Sequence, residues 1–125
     1  HIIDLKMIKF KSLNQNKEFL RILKKKKFNT KYFTLYFEKN INKKNESKIL
    51  HISFVVKKNV GNAVKRNKIK RKLKNAVRKI INETKQIDLN YTYVIFGRND
   101  VYKDKFQMIV EEISSLFKKI KNNRI

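Results

Sequence analysis

Nine lysine and arginine side chains and no carboxylate lie between Val60 and Lys79, in the run VGNAVKRNKIKRKLKNAVRK. Side chains of this type at this density do one kind of chemistry well, which is to hold phosphate. A protein core cannot collect them, because burial penalises each charge and neighbouring cations repel along a helix face. The natural counterpart is a polyanion.

Bond-breaking chemistry would need a different set of residues. Two-metal phosphodiester cleavage requires several carboxylates converging on ions about 4 Å apart. The ten acidic residues are scattered, and only Glu111 and Glu112 are adjacent, on a segment where helical neighbours point apart. The two histidines cannot build a His-rich metal site, and His51 sits among apolar residues, as a packed histidine does. With no cysteine there is no disulfide, thiolate metal site or Cys nucleophile. No catalytic and no metal-binding residue is therefore assigned to this chain.

The whole composition agrees with a polyanion partner. A formal net charge of +23 on 125 residues places nucleic acid first and an anionic membrane second. Lysine outnumbers arginine 27 to 6 and asparagine appears 15 times, a bias that an A/T-rich genome would also produce. Arginines are the better witnesses, and Arg66, Arg71 and Arg78 all fall in the basic run. No apolar run approaches the roughly 20 residues that span a bilayer, and no signal-peptide pattern is present, so a cytoplasmic protein is expected.

The elements that must position these cations follow from periodicity. At about 100° per residue, Ile69, Leu73, Ala76, Val77 and Ile80 gather on one side of a helix predicted over 62–83. Asn67, Arg71, Lys74 and Arg78 form the opposite stripe, flanked by Lys68, Lys72 and Lys79. Lys65, Arg66 and Lys68 stand in the first turns, where the helix dipole disfavours cations; a phosphate there reverses the sign of that effect. Gly61 and Asn62 are suited to turn the chain and cap this end. The plainer alternative is a solvated cationic face in a lysine-rich proteome.

Around this helix, SLNQNKEFLRILKKKK predicts a first helix over 13–25 with Ser12 or Asn14 as cap, and DKFQMIVEEISSLFKKI a third, with Asp104 as its cap or first-turn anion. KYFTLYFEK alternates, with Phe33, Leu35 and Phe37 toward a core and Tyr32, Thr34 and Tyr36 on the other face. ILHISFVVK alternates likewise, NINKKNES reads as the hairpin connection between the two, and YTYVIFGR is a third strand. The expected fold is α+β, a small mainly antiparallel sheet with three helices on one face, in one domain spanning 1–125. Residues 1–9 and 121–125 are expected to be flexible, and HIIDLK ahead of Met7 reads as native chain or as a non-native leader equally well. The aromatic-plus-basic face of Tyr32 and Tyr36 is of the kind that binds single strands by stacking and charge.

The run KKNVGNAVKRNKIKRKLKNAVR resembles the signature of the bacterial ribonuclease P protein subunit: a lysine-bearing strand end, a Gly-Asn-Ala-Val turn and an Arg-Asn-Arg helix. The matching positions are Lys57, Lys58, Gly61, Asn62, Ala63, Val64, Arg66, Asn67, Lys68, Lys70 and Arg71, and the likeness extends from about Phe10 to Ile120. Lys68 departs from the pattern, keeping the charge of the second arginine but not its planar fork; Leu23 stands where the family often has an aromatic. The resemblance implies a small protein bound to a catalytic RNA, together removing the 5′ leader of precursor tRNA, with Mg²⁺ held by the RNA and no cofactor on the protein. It implies contacts to the catalytic RNA through Lys57, Lys58, Asn62, Arg66, Asn67, Lys68, Lys70 and Arg71, and the outward stripe of the helix adds Lys74 and Arg78. It implies a leader cleft at Phe19, Leu23 and Tyr36 with Arg66 and Asn67 near its mouth, to which the alternation of KYFTLYFEK adds Tyr32, and a left-handed βαβ crossover through the basic helix. The partners so implied are ribonuclease P RNA and precursor tRNA, with no membrane and no DNA.

Composition alone fits a structural RNA-binding protein such as a ribosomal protein equally well. A DNA-binding helix-turn-helix lacks its partner helix just before the basic one, and a membrane-surface helix would need the apolar stripe that the core requires.

Overall fold

The computed structural model describes residues 8–40, 48–84 and 86–122. The expectations for 1–7 and for the final residues 123–125 lie outside the described residues. In chain order the elements are β1 (Lys9–Lys11), α1 (Asn16–Ile22), β2 (Lys26–Asn29), β3 (Phe33–Lys39) and β4 (Ile49–Val55). They are followed by α2 (Ala63–Thr84), β5 (Tyr91–Gly97), α3 (Asn99–Lys103) and α4 (Phe106–Lys121). A short 3-10 turn, Lys58–Val60, leads from β4 toward α2.

The fold is α+β, built on one five-stranded sheet of order β1-β4-β5-β3-β2. β3 pairs antiparallel with both β2 and β5, while β4 runs parallel to β1 and to β5. α2 is thus the crossover between the parallel neighbours β4 and β5. The hairpin expected between β3 and β4 is corrected by this order: β5 lies between them, and residues 41–47 of the supposed connection lie outside the described residues. A sheet registers on its apolar faces, and the strongly apolar β5 takes the centre although it comes last in sequence.

One face of the sheet carries the core. Phe33, Leu35, Phe37, Leu50, Ile52, Tyr93 and Ile95 are buried there against α2 and α4. Ile69, Leu73, Ala76, Val77, Ile80 and Ile81 supply the buried side of α2. Each large aliphatic side chain so buried contributes about 1.5–3 kcal/mol. Like-charge pairs along the exposed side cost only about 0.2–0.5 kcal/mol each. The apolar stripe therefore decides the helix, and the cations ride on it.

Several sequence expectations need correction here. α1 is shorter than predicted, starting after Gln15 with no side-chain cap, so neither Ser12 nor Asn14 caps it. Asp104 is not the anion of α4, which begins after Lys105; its carboxylate instead accepts from the Tyr32 hydroxyl at 2.8 Å and from Lys31 Nζ at 3.2 Å. Tyr32 consequently belongs to the core rather than to the opposite face: it is buried, and precedes β3. The Thr30 hydroxyl accepts from the Tyr32 and Phe33 amides, making a turn that breaks the strand alternation there.

Candidate nucleic-acid interface

The start of α2 is fixed by Asn62, whose Oδ1 accepts from the Lys65 amide at 2.9 Å, the arrangement of an N-cap. Gly61 itself is extended, with φ 163°, and needs no left-handed freedom. A Cβ there would lie 2.7 Å from Lys65 Cδ, and the flexible lysine side chain would have to swing aside. Lys57, Lys58, Asn67, Lys68, Arg71 and Lys74 are exposed, and Lys65, Arg66, Lys70, Lys72, Arg78 and Lys79 half-buried. Among the described residues the helix's cations meet few acids; Lys79 pairs with Glu83 at 3.9 Å, one turn apart.

Two of the basic side chains are partly engaged by the protein itself. Arg78 donates to the Ile8 carbonyl at 2.7 Å and lies 3.9 Å from the Phe10 ring centre, so it is less an outward contact than the helical wheel implies. Lys72 donates to the Asp104 carbonyl and so ties α2 to the junction of α3 and α4.

A cleft of about 520 Å³ opens on the sheet face away from the core. Phe19 of α1 and Leu23, just past its end, form one wall, Tyr36 of β3 and Phe96 of β5 the floor, and Lys57 and Arg98 stand along it. The register pairs Thr34 with Phe96 and Tyr36 with Val94, which puts both rings on this face. Phe96 is central: its ring centre is 6.0 Å from that of Phe19 and 5.7 Å from that of Tyr36, the latter edge-on. Lys57 Nζ stands 5.8 Å over Phe96, and Lys27 Nζ 5.8 Å over Tyr36. α1 is held over the cleft by the Leu13 amide, which donates to Ser53 Oγ at 2.9 Å, and by Arg21 with Glu38 at 3.3 Å.

The structure thus brings Phe19, Leu23 and Tyr36 together as expected and leaves Tyr32 out, while Arg66 and Asn67, expected near the mouth, are not part of its lining. Tyr32 is buried against Asp104. Asn67 projects into a second groove on the far side of α2, with Lys70, Arg71 and Lys74. Arg66, one residue and about 100° away, is half-buried with Nε sheltered and without a protein hydrogen-bond partner among the described residues. Phe96 and Arg98 also line the cleft, and neither is marked for it by the sequence pattern. Arg98 is largely committed to its own fold, donating to Thr34 Oγ1 at 2.7 Å, the Phe33 carbonyl at 3.2 Å and Asn29 Oδ1 at 3.3 Å.

Among the described residues no group of acidic, histidine or cysteine side chains is arranged to hold a metal, and no helix is long and apolar enough to cross a membrane.

Comparison with known proteins agrees with this geometry. The sequence profile of the family described as Ribonuclease P matches residues 7–121. The ribonuclease P protein component of Carboxydothermus hydrogenoformans is 30% identical over 94% of this chain and 97% of its own length. That of Mesomycoplasma hyopneumoniae strain 7448 is 33% identical over 94% and 98%. Among solved structures, the RNase P protein from Thermotoga maritima in complex with 1-(4-fluorophenyl)-2-thiourea superposes with a TM-score of 0.67 at 25% identity, covering 86% of this chain and 97% of that one. The Staphylococcus aureus RNase P protein does so at 0.61 and 25%, covering 88% and 94%. With its basic crossover helix, its aromatic cleft and a profile match over nearly its whole length, this chain belongs to the ribonuclease P protein family.

Proposed function

We propose that this protein binds the ribonuclease P RNA through the exposed side of α2 and the 5′ leader of precursor tRNA in the α1–sheet cleft, promoting 5′ maturation of tRNA. The observation that carries this reading is the joining, within one small sheet, of a cation-bearing helix to a stacking cleft of Phe19, Tyr36 and Phe96. Lys57, Lys58, Asn62, Lys68, Lys70, Arg71 and Lys74 supply charge and hydrogen bonds to the phosphates of the catalytic RNA, with Arg66, Asn67 and Arg78 beside them. Stacking on every base's π-face makes the cleft tolerant of leader sequence.

The chemistry is assigned to the RNA, where bound Mg²⁺ would supply Lewis-acid assistance to phosphodiester cleavage. The protein's part is to position the leader and screen charge, in the cytoplasm, with no membrane or DNA partner. Reconstitution with the RNase P RNA of the same genome tests this. The protein should raise cleavage of precursor tRNA at low Mg²⁺ more than cleavage of a substrate without a leader. Equal effects on the two would remove the leader-binding claim, and cleavage by the protein without RNA would overturn the division of labour.

A further inference from the structure

On the opposite face of the sheet from the cleft, a groove of about 480 Å³ runs between α2 and the edge strand β1. Phe10 pairs in register with Leu50, and Phe54 with Ile95, which places both rings on the helix-bearing face. Their centres are 6.4 Å apart and their planes tilted by 31°. Both rings are half-buried. Lys70, Arg71 and Lys74 line the same groove with Asn67, and no carboxylate does.

The floor is fixed before anything binds. Arg78 donates to the Ile8 carbonyl at 2.7 Å and lies 3.9 Å from the Phe10 ring centre, pinning β1 and the ring to the helix. Lys74 Nζ stands 6.0 Å from the same ring centre. Phe10 and Phe54 pack against the rim of the core yet stay half-buried, with three cations lining the groove above them; such an aromatic floor is unnecessary for phosphate alone, which cations on the open helix would hold. A recessed ring is also out of reach of paired bases, which show only their edges.

We infer that this groove takes one unpaired nucleotide of the RNA subunit, its base against Phe10 and Phe54 and its phosphate on Lys70, Arg71 and Lys74. The inference rests on the RNA-binding role given to α2 above and adds a base-binding site separate from the leader cleft. Stacking of this kind is worth enough to shift affinity by about tenfold, and it involves no counterion, so it leaves the salt dependence unchanged.

The test uses the whole protein with the RNase P RNA of its own genome and no precursor tRNA. The sequence contains no tryptophan, so Phe10→Trp introduces a single indole that reports on stacking. Its fluorescence should be quenched on saturation with the RNA, and Phe10→Leu should bind about tenfold more weakly with an unchanged salt slope, while Phe10→Tyr binds as the parent does. An unquenched indole in a saturated complex would overturn the inference, as would a Phe10→Leu variant of parental affinity. Should Phe10→Leu melt early, the ring-conserving tryptophan variant decides alone. The underlying role of α2 is judged separately by Arg71→Ala: if that variant lowers the salt slope while Phe10→Trp stays unquenched, the groove is wrong and the helix right. A parental protein that shows no salt slope would overturn both.

Discussion

The Tyr32 hydroxyl donates to Asp104 Oδ2 at 2.8 Å, joining residues 72 positions apart and clamping the entry to β3 against the α3–α4 junction. That hydrogen bond holds the Asp104 carboxyl below its ordinary range, with Lys31 as the second donor. A carboxyl lowered in the folded state stabilises the fold above its unfolded value near 4, and the stabilisation is lost as pH falls through the lower native value. Asp104→Asn should therefore melt earlier than the parent at neutral pH, with the gap closing in the acid range. A gap constant from pH 7 to pH 2 would show that ionisation of Asp104 does not matter.

Gly97 permits the close approach of α2 to the sheet. A Cβ there would come within 2.8 Å of both Ile69 Cγ2 and Leu73 Cδ1, two fully buried side chains with little room to retreat. Gly97→Ala should cost about 1–3 kcal/mol in denaturant titrations, as overpacking does. A neutral result would mean that α2 shifts outward freely, which conflicts with its role as a rigid mount.

Tyr36 and Phe96 meet edge to face across the β3–β5 ladder. Tyr36→Ala should weaken binding of leader-bearing precursor tRNA to the assembled particle by about tenfold, the worth of one stacked base. Binding to the catalytic RNA alone should stay as it was. Loss of both would assign Tyr36 to folding, and loss of neither would empty the cleft of its proposed ligand.

How far the sequence could be read differs sharply between regions. The apolar stripe of α2 was legible because 22 helical residues repeat the pattern many times over. The edge strands β1 and β2 were not, since three or four residues such as KFK and KKFN cannot display a period. Their lysines, which suit exposed sheet edges, read as a charge run instead. Tyr32 departs from the alternation of KYFTLYFEK because β3 begins only at Phe33, after the turn formed around the Thr30 hydroxyl. Phe96 was hidden in a strand apolar on both faces, where no alternation marks which ring faces the cleft. The pairing of β3 with β5 rather than with β4 is a long-range choice, invisible to any local pattern.

RNA binding depends most on the outward side of α2 meeting a phosphate backbone, and its salt dependence measures that contact directly. The logarithm of affinity for the RNase P RNA should fall linearly with the logarithm of salt concentration, and Arg71→Ala, which removes an exposed cation from the helix, should make the slope shallower by somewhat under one unit. A slope identical in parent and variant would mean that Arg71 is merely solvated, and the same result at Lys68 and Lys74 would contradict the reading of the helix altogether.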